Sequence, residues 1–310
     1  MSHALHHALM LAVCAASVGP LARSRWPWHS PRVALVLWQA LGLAAGLSAV
    51  SFLLAVGLSP YDRGVLPACA RLVADVLAGQ VFTALSLAHL VAVVLGLALA
   101  TRLLVGAVSA ITATLRARRR HRSLLALLGQ DGPHGDDVLL VDLPTPAAYC
   151  VPGRHPRVVI STVTRRLLDD NQLRAVLAHE RAHARERHDL VLLPFTLLRR
   201  ALPNSRLLAE ASRAVELLVE MRADDRALAR HRPETLAGAL LCFHPDGDGE
   251  PGPAAPAAPG GSAPASHELQ ARVRRLLTPR RPLSTAVRVL LVATATLLTL
   301  TPVSLLVMPG

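Results

Sequence analysis

The sequence predicts a mainly α-helical integral membrane protein: four transmembrane helices, with a small α+β domain inserted between the third and the fourth. Three observations carry this. Hydrophobic residues make up 52% of the 310, with a mean hydropathy of +0.40. The apolar residues come in runs long enough to cross a bilayer, and the arginines gather at the ends of those runs. All the Lys+Arg residues are arginine, and they leave a net charge of +12. Because this charge flanks apolar segments, lipid headgroups are its expected partner and direct nucleic-acid binding is not expected.

The first span is expected at Ala4 to Ala22, followed by Arg23, Arg25 and Arg32. A signal peptide would begin with a positive region, whereas this segment has only His3, His6 and His7, so it reads as an uncleaved helix with its histidines at the interface. Val33 to Ser59 is the clearest span, uncharged and preceded by Trp26 and Trp28 at interfacial depth. A polar loop, Pro60 to Gln80, leads to a third span within Val81 to Leu115. The densest basic cluster follows, Arg116, Arg118, Arg119, Arg120 and Arg122, which marks that end as cytoplasmic. Alternation then puts the N-terminus outside. The last run, Thr285 to Val307, enters from the cytoplasm behind Arg272, Arg274, Arg275, Arg280 and Arg281. A multi-pass protein of the plasma membrane results, organised as 1–115 membrane region, 116–243 cytoplasmic domain, 244–266 Pro/Gly/Ala-rich linker, 267–284 basic amphipathic helix suited to the lipid surface, and 285–310 fourth span.

Within the inserted domain, Val138 to Asp142, Ala147 to Val151 and Arg157 to Ser161 read as short strands, with a turn between the last two marked by Pro152-Gly153 and His155-Pro156. Leu167 to Asp189 reads as a helix with N-cap oxygens at Asp169, Asp170 and Asn171. Leu190 to Leu202 is apolar, interrupted by Pro194 and too short to span. The four cysteines, Cys14, Cys69, Cys150 and Cys242, form no close pair and read as free thiols.

The chemistry concentrates in Ala178-His179-Glu180-Arg181-Ala182-His183-Ala184. Two histidines four apart on a helix lie one turn apart on one face, where they can share a metal ion, and zinc suits such a pair. Leu173, Val176 and Leu177 make that face apolar, which turns the histidines inward. A third ligand must come from another element. The helical pattern Leu207 to Arg230 offers Glu210, Glu216 and Glu220. Glu220 is preferred because Asp224, one turn on, is placed to accept the second ring N–H of a ligating histidine. In this arrangement Glu180 takes a proton from a water at the metal, while Arg222, Arg226 and His188 are candidates for oxyanion or substrate contacts.

The run Ala148 to Gly153, then Arg157 to Ser161, Leu173 to His183 and Glu220 to Asp224 resembles the membrane zinc peptidases of the BlaR/MecR type. It is more distantly similar to the HtpX and CAAX-prenyl peptidases of the gluzincin group. The resemblance implies a gluzincin-type zinc endopeptidase domain facing the cytoplasm, with His179, His183 and Glu220 as ligands and Glu180 as general base. It further implies a signal-transducing protease whose partner is a protein or peptide substrate, such as a winged-helix repressor or the protease itself. Two departures stand out. Where many relatives carry an Asp five residues after the second histidine, this chain has His188, and at Gly310 no penicillin-binding sensor domain is expected to follow. Two alternatives remain open at this stage: a housekeeping protease for membrane proteins, and a transducer that holds zinc without cutting.

Overall fold

The computed structural model describes residues 2–61, 64–132, 135–153, 155–243, 266–278 and 283–307. In chain order the helices begin with α1 (Ser2–Arg23), α2 (Pro31–Gly57), α3 (Val65–Leu77), α4 (Val81–Ala84) and α5 (Leu87–Leu128). The strands follow as β1 (Gln130–Asp131), β2 (Val138–Val141), β3 (Ala148–Val151) and β4 (Arg157–Ser161). Then come α6 (Thr162–Leu167), α7 (Asp170–Arg185), α8 (His188–Ala201), α9 (Arg206–Ala227), α10 (Pro233–Cys242), α11 (Ser266–Leu277) and α12 (Thr285–Val307). Among the described residues, four helices are long and apolar enough to cross a membrane: His3–Arg23, Pro31–Gly57, Leu87–Leu125 and Thr285–Ser304. The third begins later than the apolar run does. Leu85 is extended, so Val81–Ala84 forms a separate turn, and α5 starts at Leu87 and continues through the arginine cluster.

The chain divides into two compact units. One comprises 1–109, 194–215 and 283–310; the other comprises 110–193 and 216–282. This differs from the linear division at two places: 194–215 groups with the apolar helices, and α11 groups with the sheet and the motif helix. The 244–266 linker falls outside the described residues except for Ser266.

In the first unit α2 packs against α1 and α12, and its small residues set how closely neighbours approach. A Cβ added at Gly57 would lie 2.7 Å from the Val93 amide nitrogen and 2.8 Å from the His89 carbonyl, so α2 and α5 touch there backbone to backbone. Phe195 of α8 is buried against Trp38, ring centroids 6.3 Å apart and nearly perpendicular. That contact accounts for an apolar segment too short to span. His7, expected at the interface, is fully buried.

The second unit is built on a four-stranded sheet of order β1-β2-β4-β3. β2 and β4 are parallel; β1 and β3 run antiparallel to their neighbours, and Val151 faces Arg157 across the expected turn. Successive side chains alternate between faces. Val138, Val158 and Ile160 pack with Leu173, Val176 and Leu177 of α7, while Leu139, Val151 and Val159 pack with Leu125 of α5. The sheet is thus covered on both faces, and β3 forms its edge beside α7.

Two elements of this unit differ from the sequence reading. The expected helix Leu167 to Asp189 is three pieces, because Leu168 is extended and Arg187 takes a left-handed backbone at φ 48°. A non-glycine residue there costs roughly 1 kcal/mol, and the return is that His188 is buried. The second is α11, two of whose arginines turn inward. Arg272 and Arg275 are both buried, and Leu276 packs with Ala227, Leu236 and Ala237.

Candidate metal centre

Asp169 starts α7. Its carboxylate accepts the amide hydrogens of Asn171 and Gln172, and the Gln172 side chain accepts the Asp169 amide in return. With the next turns anchored in the core by Leu173, Val176 and Leu177, His179 is carried into the interior and His183 follows one turn later. Their Nε2 atoms are 3.1 Å apart. From α9, Glu220 closes the group: Oε2 is 3.4 Å from His179 Nε2 and Oε1 is 3.5 Å from His183 Nε2. His179, His183 and Glu220 could hold a metal ion, each offering one donor atom with all three donors within 4.8 Å of one another. Of the other glutamates considered, Glu210 pairs with Arg23 at 3.3 Å in the first unit.

Each imidazole has a second partner. His179 Nδ1 lies 3.0 Å from Asp224 Oδ1, as the one-turn spacing of Glu220 and Asp224 suggested. His183 Nδ1 lies 2.9 Å from His188 Nδ1, and His188 Nε2 is 3.5 Å from Glu186 Oε2. Glu186 is gripped in turn by Arg222, whose Nε and Nη2 donate at 2.8 and 2.7 Å, and by Arg226. Arg222, Arg226 and His188 therefore all meet at Glu186 behind the second histidine. Sequence reading had no reason to connect Glu186 with them.

The electrostatics favour a cation at the three donors. Burial disfavours a charged His179, but Asp224 and Glu220 outweigh it and raise its pKa to about 10. Burial holds His183 neutral, down at about 3, beside its charged neighbour. Desolvation works against the Glu220 and Asp224 carboxylates, yet the surrounding histidines and Arg272 keep both well below the usual carboxylate range. The ionised carboxylates thus draw positive charge to the two imidazoles, as a proton on His179 that a metal ion would displace from Nε2.

Glu180 follows His179 directly on α7. Burial pushes its carboxyl up to about 7, helped by the Glu220 charge and opposed by His179, Arg272 and a bond from the Cys150 amide. The Ala147 carbonyl accepts the Ser161 amide at 2.8 Å, so by antiparallel alternation the Ala148 and Cys150 amides point away from β4 toward the open edge. A cavity of about 430 Å³ is lined by Cys150, Arg157, Arg181 and Arg185 among others, with Arg181 clamped to Asp137 by two bonds of 2.6 Å.

Residues 113–224 match the model of peptidase family M48. This stretch is therefore similar to the M48 metallopeptidases, and it contains His179, Glu180, His183, Glu220 and Asp224. The match is at the level of M48 and names no finer type. No curated protein and no solved structure matches the chain.

Proposed function

We propose that this protein is a membrane-embedded zinc endopeptidase in which His179, His183 and Glu220 hold the metal and Glu180 is the general base. The observation that carries this reading is the convergence of His179, His183 and Glu220 on one point, with Glu180 adjacent to His179 in sequence. The donor set suits zinc. The two imidazole nitrogens are 3.1 Å apart, and the two Glu220 oxygens approach them separately, Oε2 at 3.4 Å from His179 and Oε1 at 3.5 Å from His183, a spacing on the scale of the about 3.3 Å between donors on a four-coordinate zinc. Three protein ligands with an adjacent carboxylate is the catalytic arrangement, whereas structural sites close with a fourth protein ligand.

When bound, zinc supplies a Lewis acid for the attacking water and the scissile carbonyl. The chain's own residues do the rest. An extended substrate adds to β3 along the edge that β4 leaves open. Glu180, with its raised pKa, takes the water's proton and returns it to the departing amine. His188 and Asp224 hold the two imidazoles in the tautomers that leave Nε2 free for the metal.

The four apolar helices support a multi-pass membrane protein, for which we take the plasma membrane as the site, and the arginine cluster at 116–122 supports a cytoplasmic peptidase unit with the N-terminus outside. A cytoplasmic protein substrate follows, with a winged-helix repressor or the peptidase itself as the candidate, and the role is signal transduction. The test is Glu180→Gln. Zinc should remain stoichiometrically bound while peptide cleavage falls by about 10²–10⁴-fold. Retained turnover removes the role given to Glu180, and a wild-type protein that binds no zinc removes the whole reading. Comparing cells carrying wild-type and variant protein then separates the biological roles: one lost cleavage product means signalling, many mean housekeeping, and none means a non-catalytic transducer.

A further inference from the structure

Arg272 comes from α11, far along the chain from both metal-site helices, yet its guanidinium lies inside the centre. It is 4% exposed. Nε and Nη2 donate to the two Asp224 oxygens at 3.0 and 2.7 Å, and Nη1 lies 2.9 Å from Glu220 Oε2. These are the oxygens that face His179: Asp224 Oδ1 is 3.0 Å from its Nδ1, and Glu220 Oε2 is 3.4 Å from its Nε2. One planar group thus spans the ligand and the acceptor that orients the neighbouring ligand. The helix delivering it is itself fixed, by Arg275 bonds to the Met221 carbonyl and the Asp225 carboxylate and by Leu276 in the core.

We propose that Arg272 is a positioning residue of the metal centre, holding Glu220 and Asp224 in the orientation that presents Glu220 and His179 to the ion. This rests on the zinc-peptidase reading above. Two effects of the guanidinium oppose each other. Its positive charge repels a cation nearby, which by itself weakens metal binding. Against that, Glu180, Glu220 and Asp224 bring three carboxylates to one small volume, and without the guanidinium Glu220 and Asp224 repel each other and turn apart. Positioning dominates because a rigid fork bridging both carboxylates fixes two torsions at once, whereas the repulsion is offset by the remaining net negative charge.

The test uses the full-length protein in detergent and reads zinc affinity by chelator competition, with peptide cleavage as a second readout. Arg272→Met should weaken zinc binding by about 10–100-fold. Arg272→Lys should restore part of it, since an ammonium keeps the charge and loses the fork. Arg274→Met removes the same charge from an exposed position on the same helix and should leave zinc affinity at the wild-type value. Zinc binding in Arg272→Met as tight as wild type or tighter overturns the proposal, and so does equal weakening in Arg274→Met. A wild type that binds zinc and cleaves peptide while Arg272→Met matches it sinks this inference alone. Absence of zinc in the wild type sinks the reading beneath it.

Discussion

His183 and His188 meet ring to ring, Nδ1 to Nδ1 at 2.9 Å, with the planes 89° apart. One of the two nitrogens must donate. If His183 keeps Nε2 free toward Glu220, its Nδ1–H is the donor, and the His188 proton then sits on Nε2, facing Glu186. The Glu186 carboxylate thus stands behind His183 at one remove, with the His188 imidazole between them.

The first prediction concerns that relay. His188→Ala should lower zinc affinity by about 10–100-fold, as expected when an imidazole ligand loses its outer partner. His188→Asp should recover much of the loss by supplying the carboxylate directly. Competition with a chromogenic chelator measures both, and equal affinities in the two variants would show that His188 only fills space.

Glu186 carries the second. Burial raises its carboxyl, but bonds from Arg222 and Arg226 outweigh that and hold it at about 2, below the ordinary 4.5. A depressed folded-state pKa stabilises above the unfolded value, and that stability is lost as pH falls through the folded one. Glu186→Gln should therefore be less stable than wild type at neutral pH, by at most about 3 kcal/mol. The difference should shrink below pH 4.5 and vanish near pH 2. Thermal unfolding of the pair across this range checks it, and a gap that does not change with pH assigns the effect to shape.

The third lies in the apolar unit. Gly57→Ala places a methyl 2.7 Å from the Val93 amide nitrogen, where only backbone movement can relieve it, and should destabilise by about 1–3 kcal/mol. Gly46 has nothing within 4 Å of its added Cβ, so Gly46→Ala should be neutral or stabilising. Unfolding in mild detergent compares the two, and equal melting of both variants would remove the close crossing at Gly57.

The fourth addresses orientation. In intact cells a membrane-impermeant maleimide should label a cysteine placed at Gln80 and leave one at Arg120 unlabelled, in a background with Cys69 replaced; both positions are exposed. Labelling at Arg120 would place the peptidase unit outside and exclude a cytoplasmic substrate.

The sequence alone determined what depends on short-range periodicity. Two histidines four apart need only a helix to share a face, Glu220 and Asp224 need only one more, and apolar runs of twenty residues or more announce themselves by length. Three of the four strands were legible for the same reason, since turn residues bracket them. Tertiary structure decided which distant charges meet. An arginine stripe on an amphipathic helix looks the same whether it faces phosphate headgroups or buried carboxylates, so only packing assigned Arg272 to Asp224 and Glu220. The break at Arg187 was equally hidden: nothing local favours a left-handed backbone there, and it pays only because the turn brings His188 beneath His183 and Glu186 within reach of two arginines on another helix.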